Sequence, residues 1–326
     1  ARGVTIILIT HKLGEVMAVT DTVSVMRLGQ VVADRVTRET SKEELAELMV
    51  GRKVRPTSAP RHDVAGGVAL AVEHLSMRDR LGVDRIRDVS FAVKAGEIVG
   101  IAGVSGNGQS ELLEVLAGIC PPSGGGFIVA GRAVTVAAPC GPDEMRQLGL
   151  AHVPEDRQRR GVVAPFSVAE SAILGYQREP AYSRGPILDS DAIGRHCAEL
   201  MVRFDVRPPD PVIGSSKLSG GNQQKLILAR EIDREPRILL VGQPTRGVDI
   251  GAIEFIHAQL LALRDRGCAI LLVSVELDEI MALSDRILVM FEGRIVGEVA
   301  GRDADARELG LMMANAHPDA QERRVS

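Results

Sequence analysis

A glycine-rich turn between an apolar strand and a helix is the feature that most constrains the fold. Residues Glu97–Ala102 are mostly apolar, the turn at 103–110 reads Gly-Val-Ser-Gly-Asn-Gly-Gln-Ser, and a helical pattern starts at Glu111. Glycines allow positive φ, so successive backbone N–H groups can face one anion, and the helix adds its positive N-terminal end. The segment predicts a phosphate-binding loop, formed by Gly103, Gly106, Asn107, Gly108, Gln109 and Ser110.

The loop departs from the usual phosphate-loop pattern at one position. The pattern G-x-x-x-x-G-K-[ST] is matched at Gly103, Gly108 and Ser110, but Gln109 stands where the lysine is expected. The backbone donors and the serine hydroxyl are therefore kept, whereas the ammonium that neutralises phosphate charge is lost. Taken alone, the loop leaves open both a phosphate site and an ordinary glycine-rich turn.

Composition narrows the possible functions. A chain of 326 residues, 45% of them apolar, is long enough for about two domains. Its net charge of −4 and its 2% of aromatic residues argue against binding to nucleic acid, which needs a basic face or stacking rings. The four cysteines are scattered without a C-x-x-C pair, which indicates reduced thiols. No nucleic-acid partner and no metal-binding cluster are predicted.

The chain contains an internal repeat. Residues 3–32 align without a gap to residues 267–296, at an offset of 264, and about a dozen of the thirty positions are identical. Such self-similarity is typical of tandem copies of one unit. We therefore interpret the chain as a fragment: the C-terminal remnant of a first copy (1–52), a linker (53–66), a second copy (67–316) and a tail (317–326).

Apolar strands alternate with helical segments along the second copy. Continuously apolar strands of this kind indicate a parallel sheet covered by helices on both faces, and hairpins at 127–136 and 286–299 indicate an antiparallel portion as well. In the first copy, Val4–Thr10 has the same continuous apolar pattern and is predicted to form a buried strand.

A second glycine-rich motif, Leu-Ser-Gly-Gly-Asn-Gln-Gln-Lys, occupies 218–225 just before a helix. It resembles the signature motif of ABC ATPases. Other segments fit the same resemblance: 238–249 is similar to the second acidic strand and D-loop, Val153–Asp156 to the Q-loop, and Thr10–His11 to the switch-histidine loop. The resemblance covers nearly the whole chain. It implies a P-loop NTPase fold with an antiparallel β portion, a helical subdomain at about 157–225, and ATP with Mg²⁺ as ligands.

The second copy departs from the family's pattern at its catalytic positions. The magnesium-binding Asp of the family falls on Gly242, the catalytic Glu on Gln243, the Q-loop Gln on Glu155 and the switch His on Val275. Ser110 keeps its hydroxyl, but we expect no carboxylate beside it. Phosphoryl transfer depends on charge neutralisation, and hydrolysis on a group that accepts a proton from water. The sequence therefore predicts a second-copy site that holds nucleotide at best, with Mg²⁺ weak or absent, and that does not hydrolyse it.

In ABC ATPases two such domains pack head to tail, and each nucleotide lies between one domain's phosphate loop and the other's signature. The resemblance implies that Ser219, Gly220 and Gly221 face the first copy's phosphate loop. His11 would be the switch histidine of that competent site, where Mg²⁺ is expected. On this interpretation the 326-residue chain alone is inactive.

Tandem domains with a degraded second half and this signature look like the ATP-binding subunit of simple-sugar and nucleoside importers. The run at 243–252 followed by Ile253–His257 resembles the nucleoside branch more closely. Two alternatives stay open: a sugar importer of the ribose, galactose or xylose type, and a soluble ABC ATPase that acts without a permease. The first interpretation implies two transmembrane permease subunits, an extracytoplasmic substrate-binding lipoprotein, and a peripheral location at the cytoplasmic face of the membrane.

Overall fold

The structure is a computed structural model that describes residues 4–27, 29–53 and 66–315. The predicted tail lies outside these residues, and so does almost all of the predicted linker. The N-terminal block holds two helices and a β-hairpin: α1 (Leu13–Val19), β1 (Thr22–Arg27), β2 (Gln30–Val36) and α2 (Lys42–Val50).

The remaining elements form two larger sheets, one two-stranded hairpin and the helices around them. The strands are β3 (Val68–Arg78), β4 (Asp84–Lys94), β5 (Ile98–Ala102), β6 (Gly124–Val129), β7 (Arg132–Thr135), β8 (Leu150–Val153), β9 (Ser183–Arg184), β10 (Ile187–Leu188), β11 (Ile238–Gly242), β12 (Ala269–Val273), β13 (Arg286–Phe291) and β14 (Arg294–Ala300). The helices are α3 (Gln109–Leu116), α4 (Pro142–Gln147), α5 (Val168–Ala172), α6 (Ser190–Arg203), α7 (Gly220–Ile232), α8 (Ile250–Asp265), α9 (Leu277–Leu283) and α10 (Ala306–Met313).

A six-stranded sheet in the order β14-β13-β5-β12-β11-β8 forms the centre, and all of its strands except β14 run parallel. Its strands β5, β11 and β12 are buried along their whole length, which is why they are apolar at successive positions. Leu239 packs on the helix-covered side, and its neighbour Leu240 packs toward α3 and the four-stranded antiparallel sheet β4-β3-β6-β7. The predicted α/β fold with an antiparallel portion is confirmed.

The predicted buried strand at Val4–Thr10 is wrong. These residues form no strand, and their large apolar side chains are exposed, Ile9 to 95%. The equivalent strand β12 is buried because β5 and β11 pair with it on either side. No described strand pairs with 4–10, and an apolar run becomes a strand only where neighbours satisfy its backbone groups.

The internal repeat is present in the structure as well as in the sequence. Helix α9 and strands β13 and β14 begin and end 264 positions after α1, β1 and β2. Both hairpins also carry an irregularity at the same place, between Val25 and Met26 and between Val289 and Met290. The same order of elements, down to one bulge, is therefore built twice.

Candidate nucleotide site

Four loops converge on a cavity of about 600 Å³ at one edge of the central sheet. Each loop follows the carboxyl end of a parallel strand, which is where ligands bind in open α/β sheets. The residues contributed after β5, β8, β11 and β12 include Ser105, Gly106, Gln109, Ser110, Glu155, Gln243, Thr245, Arg246, Gly247, Val275 and Glu276.

The backbone of the predicted phosphate loop has the required shape. Gly106 and Gly108 adopt φ of 91° and 104°, a region that favours glycine. A Cβ on Gly108 would lie 2.5 Å from the carbonyl oxygen of Arg85, so no larger residue fits there. The Asn107 side chain accepts a hydrogen bond from the backbone N–H of Glu292 at 3.1 Å and anchors the loop. The loop thus presents backbone amides at the start of α3.

Gln109 supports the loop from inside. Its side-chain amide donates to the carbonyl oxygen of Val104 at 3.2 Å, and the residue is buried. A neutral amide closes the loop here, and it brings no positive charge into the cavity. Gln109 lines the cavity, but its amide is engaged with the loop, so the groups free to contact a phosphate here are the loop backbone and the Ser110 hydroxyl.

The expectation that no carboxylate lies beside Ser110 is wrong. The Ser110 hydroxyl donates to Glu155 Oε2 at 2.6 Å. A Cβ on Gly242 would lie 2.5 Å from Glu155 Cγ and 2.9 Å from Leu113 Cδ1. The glycine at 242 therefore leaves the space that the Glu155 side chain fills.

Burial raises the pKa of Glu155, while the Ser110 hydrogen bond and the Arg246 charge act in the opposite direction. A hydroxyl and a carboxylate are oxygen ligands of the type that Mg²⁺ prefers, alongside phosphate oxygens and water. In the part of the chain that the structure describes, no three His, Cys, Asp or Glu side chains could hold a metal by themselves. The pair fits Mg²⁺ as a partner of bound phosphate, and not as a site of its own.

Gln243 and Val275, at the positions of the family's catalytic base and switch histidine, are joined by a hydrogen bond. The backbone N–H of Val275 donates to Gln243 Oε1 at 3.3 Å, and the Gln243 N–H donates to the carbonyl of Val273 at 2.7 Å. Gln243 is buried. An amide and an isopropyl group cannot take a proton from water, so these two positions offer no general base.

The N-terminal block reaches the same cavity. His11 and Lys12 line it, whereas Ser219–Gly221 do not. The sequence predicts that His11 and the signature share one site. Among the described residues the structure keeps them apart. Lys12 instead forms an ion pair with Glu276 at 2.9 Å.

The cavity-wall residues that sequence reasoning missed include two pairs, Lys12 with Glu276 and His257 with Glu279. Lys12 follows His11 directly, and its ion-pair partner Glu276 occupies the equivalent position of the repeat, so the repeat alignment was the available signal. His257 Nε2 lies 3.0 Å from Glu279 Oε1, a buried pair that joins α8 to α9 and had no sequence signature.

The signature motif forms an exposed lip at the start of α7. Leu218 is buried, whereas Ser219 is exposed and caps the helix by accepting from the Asn222 backbone N–H. Arg157 packs next to Gly220 and donates to the carbonyl of Arg246 at 2.6 Å. The first turn of a helix lacks intrahelical acceptors for its leading N–H groups, so this end of α7 offers backbone donors.

His152, in a second cavity of about 320 Å³ with Arg146, Arg160 and Arg230, gives a test by pH. Burial lowers the pKa of His152 from 6.5 to about 4. An unfolded histidine takes up its proton near pH 6.5, so the free energy of unfolding should fall between pH 6.5 and 4, by about 2 kcal/mol at pH 5. Urea unfolding at pH 7 and pH 5 measures this fall. His152→Gln should make this fall smaller, whereas the control His74→Gln, at an exposed site, should leave it unchanged. An equal reduction in both variants would refute the assignment to His152.

Comparisons with known proteins agree with this geometry. Residues 86–246 match the family model of the ABC transporter. The crystal structure of a nucleotide-free ATP-binding cassette from an ABC transporter superimposes with a TM-score of 0.62 at 20% identity, covering 80% of this chain and all of that one. A dimeric, post-hydrolysis cassette bound to ADP and Pi gives 0.61 at 21% identity, covering 72% of this chain and 99% of that one. The chain has the P-loop NTPase fold of ABC ATPase domains.

Its relatives are ATP-binding proteins of importers. Guanosine import ATP-binding protein NupO of Bacillus subtilis is 44% identical over 91% of this chain, and nucleoside import ATP-binding protein NupA of Lactococcus lactis 42% over 97%. Glucose import ATP-binding protein TsgD13 of Haloferax volcanii is 45% identical over 95%. The chain spans only 58%, 62% and 56% of these three relatives. None of the described helices is both long and apolar enough to cross a membrane.

Proposed function

We propose that this chain is part of the ATP-binding subunit of an ABC importer for nucleosides. In this proposal 67–316 are a second ABC domain that binds ATP without hydrolysing it. The observation that carries the non-hydrolysing role is the hydrogen bond between Val275 and Gln243, which joins the two positions where a switch and a base would act. The phosphate loop beside them keeps its backbone geometry, so binding is preserved where proton transfer is not.

The N-terminal block is, in this proposal, the remnant of a first ABC domain. Lys12 and Glu276 are equivalent positions of the repeat, and they contact each other. A contact between equivalent positions arises where two copies meet around a two-fold axis. This supports a paired arrangement of two cassettes, in which the competent site would be built from the first domain's phosphate loop, His11 and the second domain's signature. His11 lines the second domain's own cavity in this structure, so the proposal requires it to take a different position when the first domain is complete.

Within that arrangement the second domain supplies Ser219, Gly220 and Gly221 to its neighbour. Ser219 is exposed and the two glycines are half-buried. Their place at the N-terminus of α7 suits them to a γ-phosphate, since helix N-termini attract anions. At the second domain's own site the loop 103–110 would hold the triphosphate through backbone N–H groups. A bound Mg²⁺ would neutralise phosphate charge there, and Ser110 and Glu155 are the side chains placed to hold it.

The transported molecule is proposed to be a nucleoside because Gly242–Gln243 and the run after it follow the nucleoside branch. Sugar import is the second candidate, and the 45% identity to a glucose import protein favours keeping it. Uptake of labelled guanosine by cells that carry or lack the gene tests the choice. Uptake that depends on the gene and is competed by other nucleosides supports the proposal, whereas competition by ribose, xylose or glucose alone would replace it with the sugar alternative.

The coupled partners would be two permease subunits and a substrate-binding lipoprotein, with the chain at the cytoplasmic face of the membrane. The cavity around His152 carries Arg146, Arg160 and Arg230 between the central sheet and the helical subdomain, and it is a candidate permease contact. Co-purification with the permeases supports this. Recovery with ribosomes or DNA would instead favour a soluble ABC ATPase.

The 326-residue chain should release no phosphate from ATP above background at any Mg²⁺ concentration. The reason is the absence of a proton acceptor at Gln243 and Val275, since loss of general-base catalysis alone costs about 10²–10⁴-fold. Phosphate release measured on the purified chain tests the absence of hydrolysis. ATP binding, followed in parallel with a fluorescent analogue, tests whether the nucleotide is held. Robust Mg²⁺-dependent turnover would overturn the proposal that the second domain binds ATP without hydrolysing it.

A further inference from the structure

We infer that Arg246 supplies the positive charge that the phosphate loop lacks, and that it binds the outermost phosphate of a nucleoside triphosphate held by this domain. The inference rests on the proposed nucleotide binding. It goes beyond that proposal by assigning a side chain outside the loop 103–110 to the terminal phosphate, and by making this domain prefer a triphosphate to a diphosphate.

The loop alone leaves the terminal phosphate without a cationic side chain. In phosphate loops the backbone N–H groups bind the inner phosphates, and a lysine side chain reaches the outer ones. Gln109 stands at the lysine position, and its amide donates to the carbonyl of Val104 at 3.2 Å. The outer end of a triphosphate bound here would therefore need positive charge from another part of the cavity.

Arg246 is a cation of the cavity wall that has no carboxylate partner. Among the described residues that line the cavity, the lysine is Lys12 and the arginine is Arg246. Lys12 is paired with Glu276 at 2.9 Å. Arg246 is exposed and forms no ion pair with any carboxylate of the described residues. Its guanidinium is therefore free to bind phosphate, to which it can donate two parallel hydrogen bonds.

The backbone of Arg246 is held in place at the edge of the sheet. The residue lies in the turn that follows β11, and its N–H donates to the carbonyl of Gln243 at 3.1 Å. Its own carbonyl accepts from Arg157 at 2.6 Å. The side chain thus starts from a fixed point on the cavity wall, and these contacts do not depend on its charge.

Electrostatic effects connect Arg246 to the phosphate loop. Ser110 donates to Glu155 at 2.6 Å. Burial raises the pKa of Glu155, and the Ser110 hydrogen bond and the Arg246 charge oppose this rise, so the guanidinium acts on a carboxylate that contacts the loop. Burial lowers the pKa of Arg157, and the Arg246 charge lowers it further. These two like charges repel each other, and a bound phosphate would relieve the repulsion.

Removing the charge tests the inference. At saturating Mg²⁺, Arg246→Gln in the 326-residue chain should weaken binding of a non-hydrolysable ATP analogue by about 10–100-fold, as expected for a lost hydrogen bond to a charged group. The loss for ADP, which lacks the outer phosphate, should stay within about threefold, because the remaining charges are farther away and screened. Arg246→Lys keeps the charge without the planar fork, so its affinity for the analogue should lie between the two.

Arg159→Gln is the matched control. It removes the same charge from an exposed arginine that lies closer in the chain to Glu155 but does not line the cavity. Its affinity for the analogue should stay within about twofold of wild type, since solvent screens such a charge. Equal losses in Arg246→Gln and Arg159→Gln would indicate a general electrostatic effect and overturn the inference.

A second experiment returns the charge to the loop. Gln109→Lys places an ammonium at the usual position, and it should raise the affinity for the analogue far more in Arg246→Gln than in the wild-type chain. Two residues that serve one phosphate are not additive, and calorimetric titration of the four chains measures their coupling. An equal gain in both backgrounds would mean that the two charges act independently, which contradicts the inference.

The outcomes separate the inference from the proposed function. Unchanged affinity for the analogue in Arg246→Gln, with wild-type binding intact, overturns the assignment of Arg246 while the proposed nucleotide binding stands. If the wild-type chain binds no analogue, the proposed function itself fails.

Discussion

Gly221→Asp in the full-length protein should abolish ATP-driven uptake while leaving the domain folded or slightly more stable. The nearest neighbours of a Cβ at Gly221 would be atoms of Val248, at ordinary contact distances of 3.7 and 3.9 Å. An aspartate in the first turn of α7, which has no acidic residue of its own, should stabilise the helix by about 0.3–1 kcal/mol. The same charge would repel a γ-phosphate from the neighbouring domain. Loss of one such phosphate-binding element should cost about 10²–10³-fold in ATP turnover.

The neutral variant Gly221→Asn is the matched control. It has nearly the same shape without the charge, so it should lose far less activity than Gly221→Asp. Turnover and uptake are measured together with the thermal midpoint of the domain. If Gly221→Asp keeps turnover within about threefold of wild type, well short of that expected loss, the signature does not face a phosphate and the paired arrangement is wrong.

Local patterns of the sequence predict much of this fold. The loop 103–110 and the segment 218–225 adjoin helices and strands that are recognisable from residues close together in the chain. The structure has β5 and α3 on either side of the first, and α7 begins within the second. The repeat likewise predicts the second hairpin from the first. These features depend on residues within a few turns of each other, so one sequence is sufficient to find them.

The sequence-based predictions that are wrong concern features that depend on residues distant in the chain. Val4–Thr10 has the composition of a buried strand, yet without adjacent strands it stays exposed. The Ser110–Glu155 hydrogen bond joins residues 45 positions apart, and it exists because of the size of a third residue, Gly242. A comparison of each position with a family pattern records two separate departures there, and only the packing shows that the Glu155 side chain fills the space left by Gly242.

A second large effect is expected from the buried ion pair that holds the helical subdomain together. Arg230 and Glu231 are 3% and 0% exposed, and their side chains meet at 2.8 Å. Arg230 also donates to the carbonyls of Gly161 and Ser171, and Glu231 accepts from the Tyr176 hydroxyl at 2.8 Å. The network thus connects α7, the signature helix, to α5 and to the turn that follows Glu155.

Arg230→Met should therefore destabilise the domain by about 3–5 kcal/mol, because it leaves Glu231 charged and buried without its cation. Denaturant unfolding of the domain's own transition measures the loss, and hydrogen exchange should show faster opening of 168–172 and 220–232. Removing both charges in Arg230→Met with Glu231→Gln should recover part of it, since an uncompensated charge costs more than an absent pair. Arg78→Met, which breaks the exposed Arg78–Asp84 pair, should cost at most about 1 kcal/mol.

The same variant tests how the signature depends on the domain that carries it. Because α7 begins at the exposed lip and its last turn holds Arg230, loosening the network should also shift the lip and lower transport at temperatures where the domain is still folded. If uptake falls in Arg230→Met and recovers in the double variant Arg230→Met with Glu231→Gln, the buried pair controls the position of Ser219–Gly221. Uptake equal to wild type in a measurably loosened domain would show instead that the lip is held by its cap at Ser219 and by Arg157 alone.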